Sequence, residues 1–500
     1  MRLNIGYARS LKAFENFNSH RSSDIITQGP RWFITRGLLK TGNPTTPKAL
    51  ATYHIEMKRS ASSISKATSR AKKPRPEVPE YHLTPSVRDE SGEAIWPAPR
   101  EQIELARKFI LECASAKKKT LIVPDKDADG LTSGAILQKT LVLLGLEPDL
   151  ISAHLLQKGS NIHEERERVA MAAHEPAYIF VLDQGSRKSP AVINSPHKAL
   201  VIDHHWALED DFPAGSEHIT ACNSPPVATS SLLTYHICNE LHEQVHMSCD
   251  WLCAIGTHGD LGNTLKWEPP FPDMKATFKT YTKKAVNDAV SLINAPRRTA
   301  TYDVPAPWAA LTAAASPSDL LKNHSLLAAR AEVNAEVERC THTAPKFSGD
   351  ARIAVFRISS AAQVHPVIAT RWAGHLRSPR LEVVMVANEG YLPGVVNFSC
   401  RIPRSARARN HPPVNIIEVL NGIAARAPDP TLRERLGESF ARGHKEASGG
   451  IVPKAEFEEF MDILEIGKKP EGGSPKKARK DAAPRQSNTL MNYFGKKATA

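Results

Sequence analysis

The chain has 500 residues, of which 41% are hydrophobic. At roughly 100–200 residues per domain, this length allows about two to four domains with a real core. No stretch approaches the roughly 20 consecutive apolar residues of a membrane-spanning helix, so no membrane association is expected. The net charge of +12 indicates a polyanionic partner, most often nucleic acid, although solvated basic faces are also ordinary.

The 7 cysteines are scattered and form no CxxC pair. This pattern argues against a disulfide framework or a zinc ribbon. Reduced thiols in the nucleus, the cytosol or an organelle matrix fit the pattern better.

The first segment, residues 1–95, is predicted to be a disordered basic region, because its later half is rich in Ser, Lys, Arg and Pro without apolar periodicity. Residues 1–40 carry several arginines and few acids. They fit either a mitochondrial transit peptide or an extension upstream of a working start at Met57. We favour the second interpretation.

Residues 96–270 are predicted to form an α/β domain around a parallel sheet. The apolar runs 120–124, 177–182 and 198–202 each lead into an aspartate, and helical patterns such as 131–145 separate them. Short buried strands that alternate with helices are typical of parallel sheets.

The remainder of the chain is predicted to contain a helical connector, a second lobe and a tail. The connector covers residues 271–345. The second lobe, residues 346–467, is a smaller mixed α/β domain with strand-like and helical runs. Residues 468–500 are predicted to be a disordered basic tail. The strand-like runs of the second lobe are 352–359 and 381–387, and the helical ones are 415–427 and 457–466.

Acidic residues follow each predicted strand of the first domain. In a doubly wound sheet, the loops beyond the carboxyl ends of the strands form the ligand crevice, so these acids should converge there. One further acid lies in the segment 255–263, between apolar flanks, where a buried turn is predicted. The acids are Asp125, Asp127 and Asp129 of PDKDADG, Asp183, Asp203 and Asp260.

So many carboxylates repel each other in a low dielectric unless protons or cations lie among them. Oxygen ligands with imidazoles suit Mn²⁺ or Mg²⁺, and Asp203, His204 and His205 supply both types of group. A single aspartate after a strand is usually a turn former or a helix cap, and a single histidine is usually a satisfied core residue. Four separate clusters together favour a two-ion site, with the ions about 3.5–4 Å apart.

Four motifs then resemble one family. PDKDADG, VLDQGS (181–186), VIDHH (201–205) and GTHGDLG (256–262) resemble the DHH phosphoesterase superfamily, in particular its branch of RecJ-type single-strand exonucleases. The second lobe is similar to the DHH-associated substrate-binding domain through ARGHKEASGG (441–450). The resemblance covers residues of about 100–467.

The resemblance implies roles for individual residues. His205 would contact the scissile phosphate or the leaving oxygen, and Asp129 matches the third acid of the RecJ-like branch, so both are assigned as catalytic. Substrate binding is assigned to Arg401, Arg442, Gly443 and His444, although Ala441 and Arg442 stand where the family usually has glycines. Leu121 stands where related pyrophosphatases have a histidine, and Lys126 where RecJ-type proteins often carry an aromatic residue. The implied ligands of two Mn²⁺ (or Mg²⁺) ions are Asp125, Asp127, Asp183, Asp203, His204 and Asp260.

The expected function is a metal-dependent phosphodiesterase, an exonuclease on single-stranded nucleic acid in DNA replication or repair. Two alternatives stay open. One is a phosphoesterase on oligonucleotides, cyclic dinucleotides or polyphosphate, since no room for an added OB-type lobe is evident. The other is a non-catalytic replication or repair adaptor, which the complete set of acids and histidines disfavours.

The tail carries two further signals. PKKARK (475–480) fits a nuclear import signal, a nucleic-acid contact or a solvated linker. Leu490, Tyr493 and Phe494 have the spacing of the short sliding-clamp-binding peptide, with Gln486 one place away from that peptide's leading glutamine. We therefore expect a nuclear protein that docks on the clamp, or a mitochondrial one if residues 1–40 are a transit peptide.

Overall fold

The computed structural model describes residues 84–407 and 413–467, with the backbone alone for His444. The predicted transit peptide, the import signal and the clamp-binding residues Leu490, Tyr493 and Phe494 lie outside the described residues. Residues 84–95 belong to the predicted disordered region, and here Arg88 pairs with Ala94 in a β-bridge. Among the described residues, no helix is both long and apolar enough to cross a bilayer.

The first lobe alternates strands and helices. Its elements are α1 (Arg100–Ala116), β1 (Thr120–Pro124), α2 (Ala128–Leu143), β2 (Ile151–Ala153), α3 (Glu165–Ala172), β3 (Tyr178–Leu182), β4 (Lys198–Asp203), β5 (Glu217–Thr220), α4 (Ser230–Asn239) and α5 (Gln244–Leu261).

The five strands of this lobe form one parallel sheet in the order β2-β1-β3-β4-β5. Strands β1 and β3 are buried along their whole length, as the apolar runs predict. Val123 of β1 lies beside Val181 of β3, and Val181 lies beside Val201 of β4. The strands therefore end side by side, and the acids that follow them lie at one edge of the sheet. The prediction of a parallel-sheet α/β fold is confirmed.

Helix α2 begins at Ala128, three residues before the helical pattern in the sequence. Asp127 caps it: the Asp127 side chain accepts hydrogen bonds from the backbone N–H of Asp129 (3.1 Å) and of Gly130 (3.4 Å). An aspartate cap satisfies donors that would otherwise have no partner at a helix N-terminus. The PDKDADG segment is thus both a strand end and a helix start.

A helical connector follows the first lobe. It consists of α6 (Lys275–Tyr281), α7 (Lys283–Asn294), α8 (Pro305–Ala313), α9 (Pro317–Leu321) and α10 (His324–Thr341).

The second lobe is built on a mixed sheet. Its elements are β6 (Lys346–Phe347), β7 (Ile353–Ile358), α11 (His365–His375), β8 (Val383–Asn388), β9 (Val395–Arg401), α12 (Arg404–Arg407), α13 (Ile416–Ala424), α14 (Leu432–Arg435), β10 (Arg442–His444), β11 (Ala447–Pro453) and α15 (Lys454–Ile463).

The strand order of this sheet is β10-β11-β9-β8-β7-β6, with β7 and β8 parallel and the other neighbours antiparallel. Separate apolar cores cover its two faces. On one face, Phe356 stacks on Trp372 of α11, with ring centroids 4.9 Å apart. The lobe therefore has a core of its own, as the smaller mixed α/β domain predicted from the sequence requires.

Helices α2, α4 and α5 of the first lobe pack closely at Gly256. Gly256 of α5 lies so near to Ser231 of α4 and Thr132 of α2 that a methyl group at position 256 would overlap both hydroxyl side chains. Ser231 and Thr132 are fully buried, so neither side chain can move aside into solvent.

We expect Gly256→Ala to destabilise the fold by about 1–3 kcal/mol or more, because overpacking a close helix contact forces the backbones apart. The matched control is Gly422→Ala, on the exposed side of α13 with no atom within 4 Å of the added carbon. That variant should gain about 0.5–1 kcal/mol from helix propensity. Urea unfolding of both variants measures the difference, and equal midpoints would contradict the packing argument.

Candidate active site

The predicted acids converge at the point where the strand order of the parallel sheet reverses, between β1 and β3. Asp125 and Asp127 follow β1, and Asp183 follows β3. The backbone N–H of Asp125 donates to the Leu182 carbonyl, and that of Asp183 donates to the Ile202 carbonyl, both at 2.9 Å. Ligands in open α/β folds bind at this switch point. Asp183 has a left-handed backbone, with φ of 61°, which turns its carboxylate into the crevice.

The acids and histidines form three groups of three side chains. Within each group, the potential ligand atoms lie within 4.8 Å of one another. Asp183 and His204 each belong to two of the groups, so they lie at the centre of the cluster. The groups are Asp125, Asp127 and Asp183; Asp183, His204 and His205; and Asp129, His204 and Asp260.

His204 gives the clearest sign that this cluster suits a cation. Its Nε2 atom is buried and has no hydrogen-bond partner among the described residues. It nevertheless lies 3.3 Å from Asp183 Oδ1 and 3.2 Å from Asp260 Oδ2. A buried imidazole nitrogen that faces two carboxylates without a hydrogen bond has the donor chemistry of a metal ligand. The residues present therefore fit divalent ions.

Asp260 reaches the cluster from an element that differs from the predicted one. The sequence predicts a buried turn over 255–263, whereas Asp260 lies in the last turn of the long helix α5. Apolar flanks alone do not separate a buried turn from a buried helix end. The helix gives Asp260 a more rigid position than a turn would.

Charge crowding in the cluster shifts the pKa values of its acids. Burial, then the nearby Asp129, raises the pKa of Asp183 well above its ordinary value. Burial also raises the pKa of Asp127, although the guanidinium of Arg297, 3.6 Å away, opposes this shift. The one positive side chain at Asp125 in the described structure is Lys126, at 3.2 Å. Among the described residues, Lys126 and Arg297 are the Lys and Arg side chains that pair with Asp125 and Asp127.

Asp129 has a structural role that the sequence did not indicate. Its two carboxylate oxygens accept the backbone N–H groups of Ser230 (2.7 Å) and Ser231 (3.0 Å), at the start of α4. Burial and the neighbouring Asp260 raise its pKa to about 6. The geometry makes Asp129 the residue that fixes α4 to the cluster. Its assignment as catalytic stays a prediction.

Asp203 is predicted to be a metal ligand, yet it belongs to none of the three groups. Its Oδ1 accepts from the backbone N–H groups of His204 (2.8 Å) and His205 (3.3 Å) and from His205 Nδ1 (2.8 Å). Its Oδ2 accepts from the backbone N–H and the hydroxyl of Ser186. Although burial alone would raise it, these donors hold the pKa of Asp203 well below its usual range. This geometry favours a positioning role toward His205.

Asp203→Asn separates these two roles. If Asp203 positions His205, hydrolysis of a phosphodiester should fall by about 10–100-fold. Mn²⁺ affinity, measured by calorimetry, should then fall far less than in Asp183→Asn. Equal losses of Mn²⁺ affinity in the two variants would instead make Asp203 a ligand.

Cationic side chains from the connector and the second lobe lie beside the acids. Arg297 contacts Asp127, and its guanidinium also donates to Gln363 of the second lobe at 3.2 Å. Burial, then the charges of Arg401 and Arg298, lower the pKa of His365 to about 3. The buried Nε of Arg298 and Nδ1 of His365 have no hydrogen-bond partner within the described ranges. Buried polar atoms without a hydrogen-bond partner, next to the guanidinium groups of Arg298 and Arg401, favour an anion.

Sequence reasoning identified only Arg401 among these residues, and it did so through the family resemblance. Arg297 and Arg298 could have been identified from the sequence as a candidate cationic site. The two arginines are adjacent, and they follow an apolar helix and a proline inside the predicted connector. His365 carried no such signal, since it starts an ordinary helix.

The predicted glycine-turn residues lie in the hairpin β10–β11. Arg442 is exposed, and its Nε donates to the Glu438 carbonyl at 2.6 Å. Gly443 has φ of 105°, and a side chain there would meet the Ala447 carbonyl, so the hairpin needs this glycine. Ala447 pairs with His444 on one side and with Arg401 on the other. Their substrate-binding roles stay predictions.

Comparisons with known proteins place this architecture. Residues 119–257 match the DHH family, N-terminal domain. Manganese-bound RecJ from Thermus thermophilus superposes with a TM-score of 0.52 at 20% identity, over 74% of this chain and 55% of that one. A manganese-bound exonuclease RecJ superposes with a TM-score of 0.50 at 20% identity, and the match covers 75% of this chain and 95% of that one. The DHH domain of a protein from a ribosomal-protein family superposes with a TM-score of 0.53 at 15% identity, and the match covers 74% of this chain and 92% of that one.

Residues 119–257 thus match the DHH family, and the fold of the chain is similar to that of the RecJ structures. The chain spans only about half the length of the Thermus RecJ. No curated protein sequence matches it significantly.

Proposed function

We propose that this protein is a metal-dependent phosphodiesterase that removes nucleotides from an end of single-stranded nucleic acid, in DNA replication or repair. The observation that carries the proposal is the partly buried acid–imidazole cluster at the switch point, with Arg297 of the connector in contact with it. An acidic centre binds cations, and a cationic border binds phosphates. A phosphodiester held between the two would have cations at its reacting phosphate and basic side chains at its other phosphate oxygens.

Two ions would be held by overlapping sets of residues. Asp125, Asp127 and Asp183 form one set, and His204 with Asp183 and Asp260 forms the other. The shared position of Asp183 makes it the bridging candidate. When bound, Mn²⁺ or Mg²⁺ lowers the pKa of a coordinated water and neutralises charge on phosphoryl oxygens.

The imidazole of His205 is poised toward the phosphate. Its side chain is half exposed, while its Nδ1 donates to the buried carboxylate of Asp203. Burial opposes protonation of His205, but the bond to Asp203 outweighs it and raises the pKa. A charged or strongly polarised imidazole at this position stabilises the negative charge that builds on phosphoryl oxygens during hydrolysis.

The border of the site binds and orients the substrate. Arg401 of β9 and Arg298 of the connector would contact phosphate oxygens, and the orphaned donors of Arg298 and His365 would find acceptors there. The likeness to exonuclease RecJ supports an exonuclease, and the net charge of +12 supports a nucleic-acid substrate.

The substrate class is tested with the full chain and Mn²⁺. The substrates are end-labelled single strands, matched duplexes, dinucleotides and polyphosphate. Progressive shortening of single strands from one end is the expected result. Cleavage of dinucleotides or polyphosphate alone would establish the small-substrate alternative. No cleavage of any of them would favour a non-catalytic adaptor.

Asp183→Asn tests the metal centre itself. In EDTA the variant should melt at a higher temperature than the wild type, because it removes one of several crowded negative charges. Mn²⁺ should raise the melting temperature of the wild type and leave the variant nearly unchanged. Hydrolysis should fall by about 100-fold or more.

The control for this variant is Asp273→Asn, at an exposed aspartate that pairs with Lys275. It should behave as the wild type in all three measurements. A variant at Asp183 that still gains stability from Mn²⁺ would contradict the proposed ligand set.

We also propose that the protein acts in the nucleus and docks on a sliding clamp through Leu490, Tyr493 and Phe494. These residues lie outside the described part of the chain, and the sequence spacing supports the proposal. The full chain should retain purified clamp in a pull-down, and the double variant Tyr493→Ala, Phe494→Ala should not. Lys496→Ala is the control. Equal retention by all three proteins would contradict docking through this peptide.

A further inference from the structure

An exposed apolar pair lies directly after the histidines of the site. Trp206 is 73% exposed and Leu208 is 60% exposed. Trp206 is bonded through the backbone to His205, whose ring belongs to the acid–imidazole cluster. A large indole kept in water beside a polar centre has a hydrophobic cost that burial against a ligand would remove.

The backbone fixes this pair in place. Ala207, between the two exposed residues, is buried in the apolar core on that face of the sheet. The Cys222 thiol donates to its carbonyl at 3.8 Å, and the Leu208 N–H donates to Asp211 Oδ2 at 2.9 Å. The indole is therefore presented by an anchored segment, and little backbone entropy is lost when a ligand covers it.

Basic residues lie on a neighbouring loop. Arg187 and Lys188 are exposed, and their loop is tied to the end of the Trp206 segment by the bridge between Ser189 and Pro213. Arg187 also forms an ion pair with Glu438 of the second lobe. Glu209, Asp210 and Asp211 lie between Leu208 and Pro213 and would repel phosphates. Arg187 and Lys188 supply positive charge on a loop that is bonded to the end of the Trp206 segment.

We infer that Trp206, with Leu208 at its edge, is the stacking site for a nucleobase of the strand whose phosphodiester occupies the acid–imidazole cluster. This inference rests on the proposed function. An aromatic face beside basic side chains is the combination that binds single strands without reading their sequence. Two apolar side chains are too small an area for a stable protein interface, which needs roughly 1,000 Å² or more.

The test compares two single strands of equal length. One carries thymine throughout, and the other has abasic residues at both ends. The full-length proteins are the wild type, Trp206→Ala, Trp206→Phe and Met247→Ala. Met247 is 72% exposed on α5 and serves as the control for loss of an exposed apolar side chain. The readouts are kcat/KM with Mn²⁺ and binding by fluorescence anisotropy with Ca²⁺.

Trp206→Ala should lower kcat/KM and affinity for the thymine strand by about tenfold, the lower part of the range for one stacked base. It should have little effect on the abasic strand, which the wild type should already bind about tenfold more weakly. Trp206→Phe should retain most of the wild-type preference for the thymine strand over the abasic strand. Met247→Ala should retain all of this preference.

Equal effects of Trp206→Ala on both strands, or no effect on either, would overturn the stacking site while wild-type cleavage keeps the proposed function intact. A wild type that neither cleaves nor binds either strand would overturn both proposals.

Discussion

The mutual repulsion of the carboxylates around the buried His204 is the constraint on which the rest of the structure depends. Asp183, Asp129 and Asp260 surround an imidazole nitrogen that makes no hydrogen bond in the described structure. Such a cluster costs folding free energy unless cations neutralise it, so the scaffold has to hold it rigidly. The close contact of α2, α4 and α5 at Gly256 and the capping of α4 by Asp129 provide that rigidity.

The second lobe complements the first electrostatically. The first lobe contributes negative charge at the sheet edge, while the turn at Arg297 and Arg298 contributes guanidinium groups close to Asp127, with Arg401 and His365 of the second lobe next to Arg298. The Gln363 N–H also donates to the Arg298 carbonyl, which ties the two sides together. A substrate that carries its own phosphate charge and arrives with cations balances both sides at once.

Much of the fold could be predicted from the sequence, because short apolar runs that end in aspartate indicate parallel strands that share one edge. The convergence of Asp125 and Asp183 follows from that topology alone. Side-chain direction does not: Asp203 follows the same pattern, yet its carboxylate turns toward backbone donors and His205. Contacts across the lobes, such as the one between Arg297 and Gln363, depend on packing that no local pattern encodes.

The left-handed backbone of Asp183 has a consequence for how this site can change. Few residues tolerate a positive φ; aspartate, asparagine and glycine do so most readily. Most substitutions at this position would strain the β3 turn as well as remove an oxygen ligand. A descendant that abandoned hydrolysis while keeping its fold is therefore expected to carry asparagine or glycine here. The crevice would then keep its shape after hydrolysis is lost. A single substitution at Asp183 would thus convert an enzyme into a scaffold.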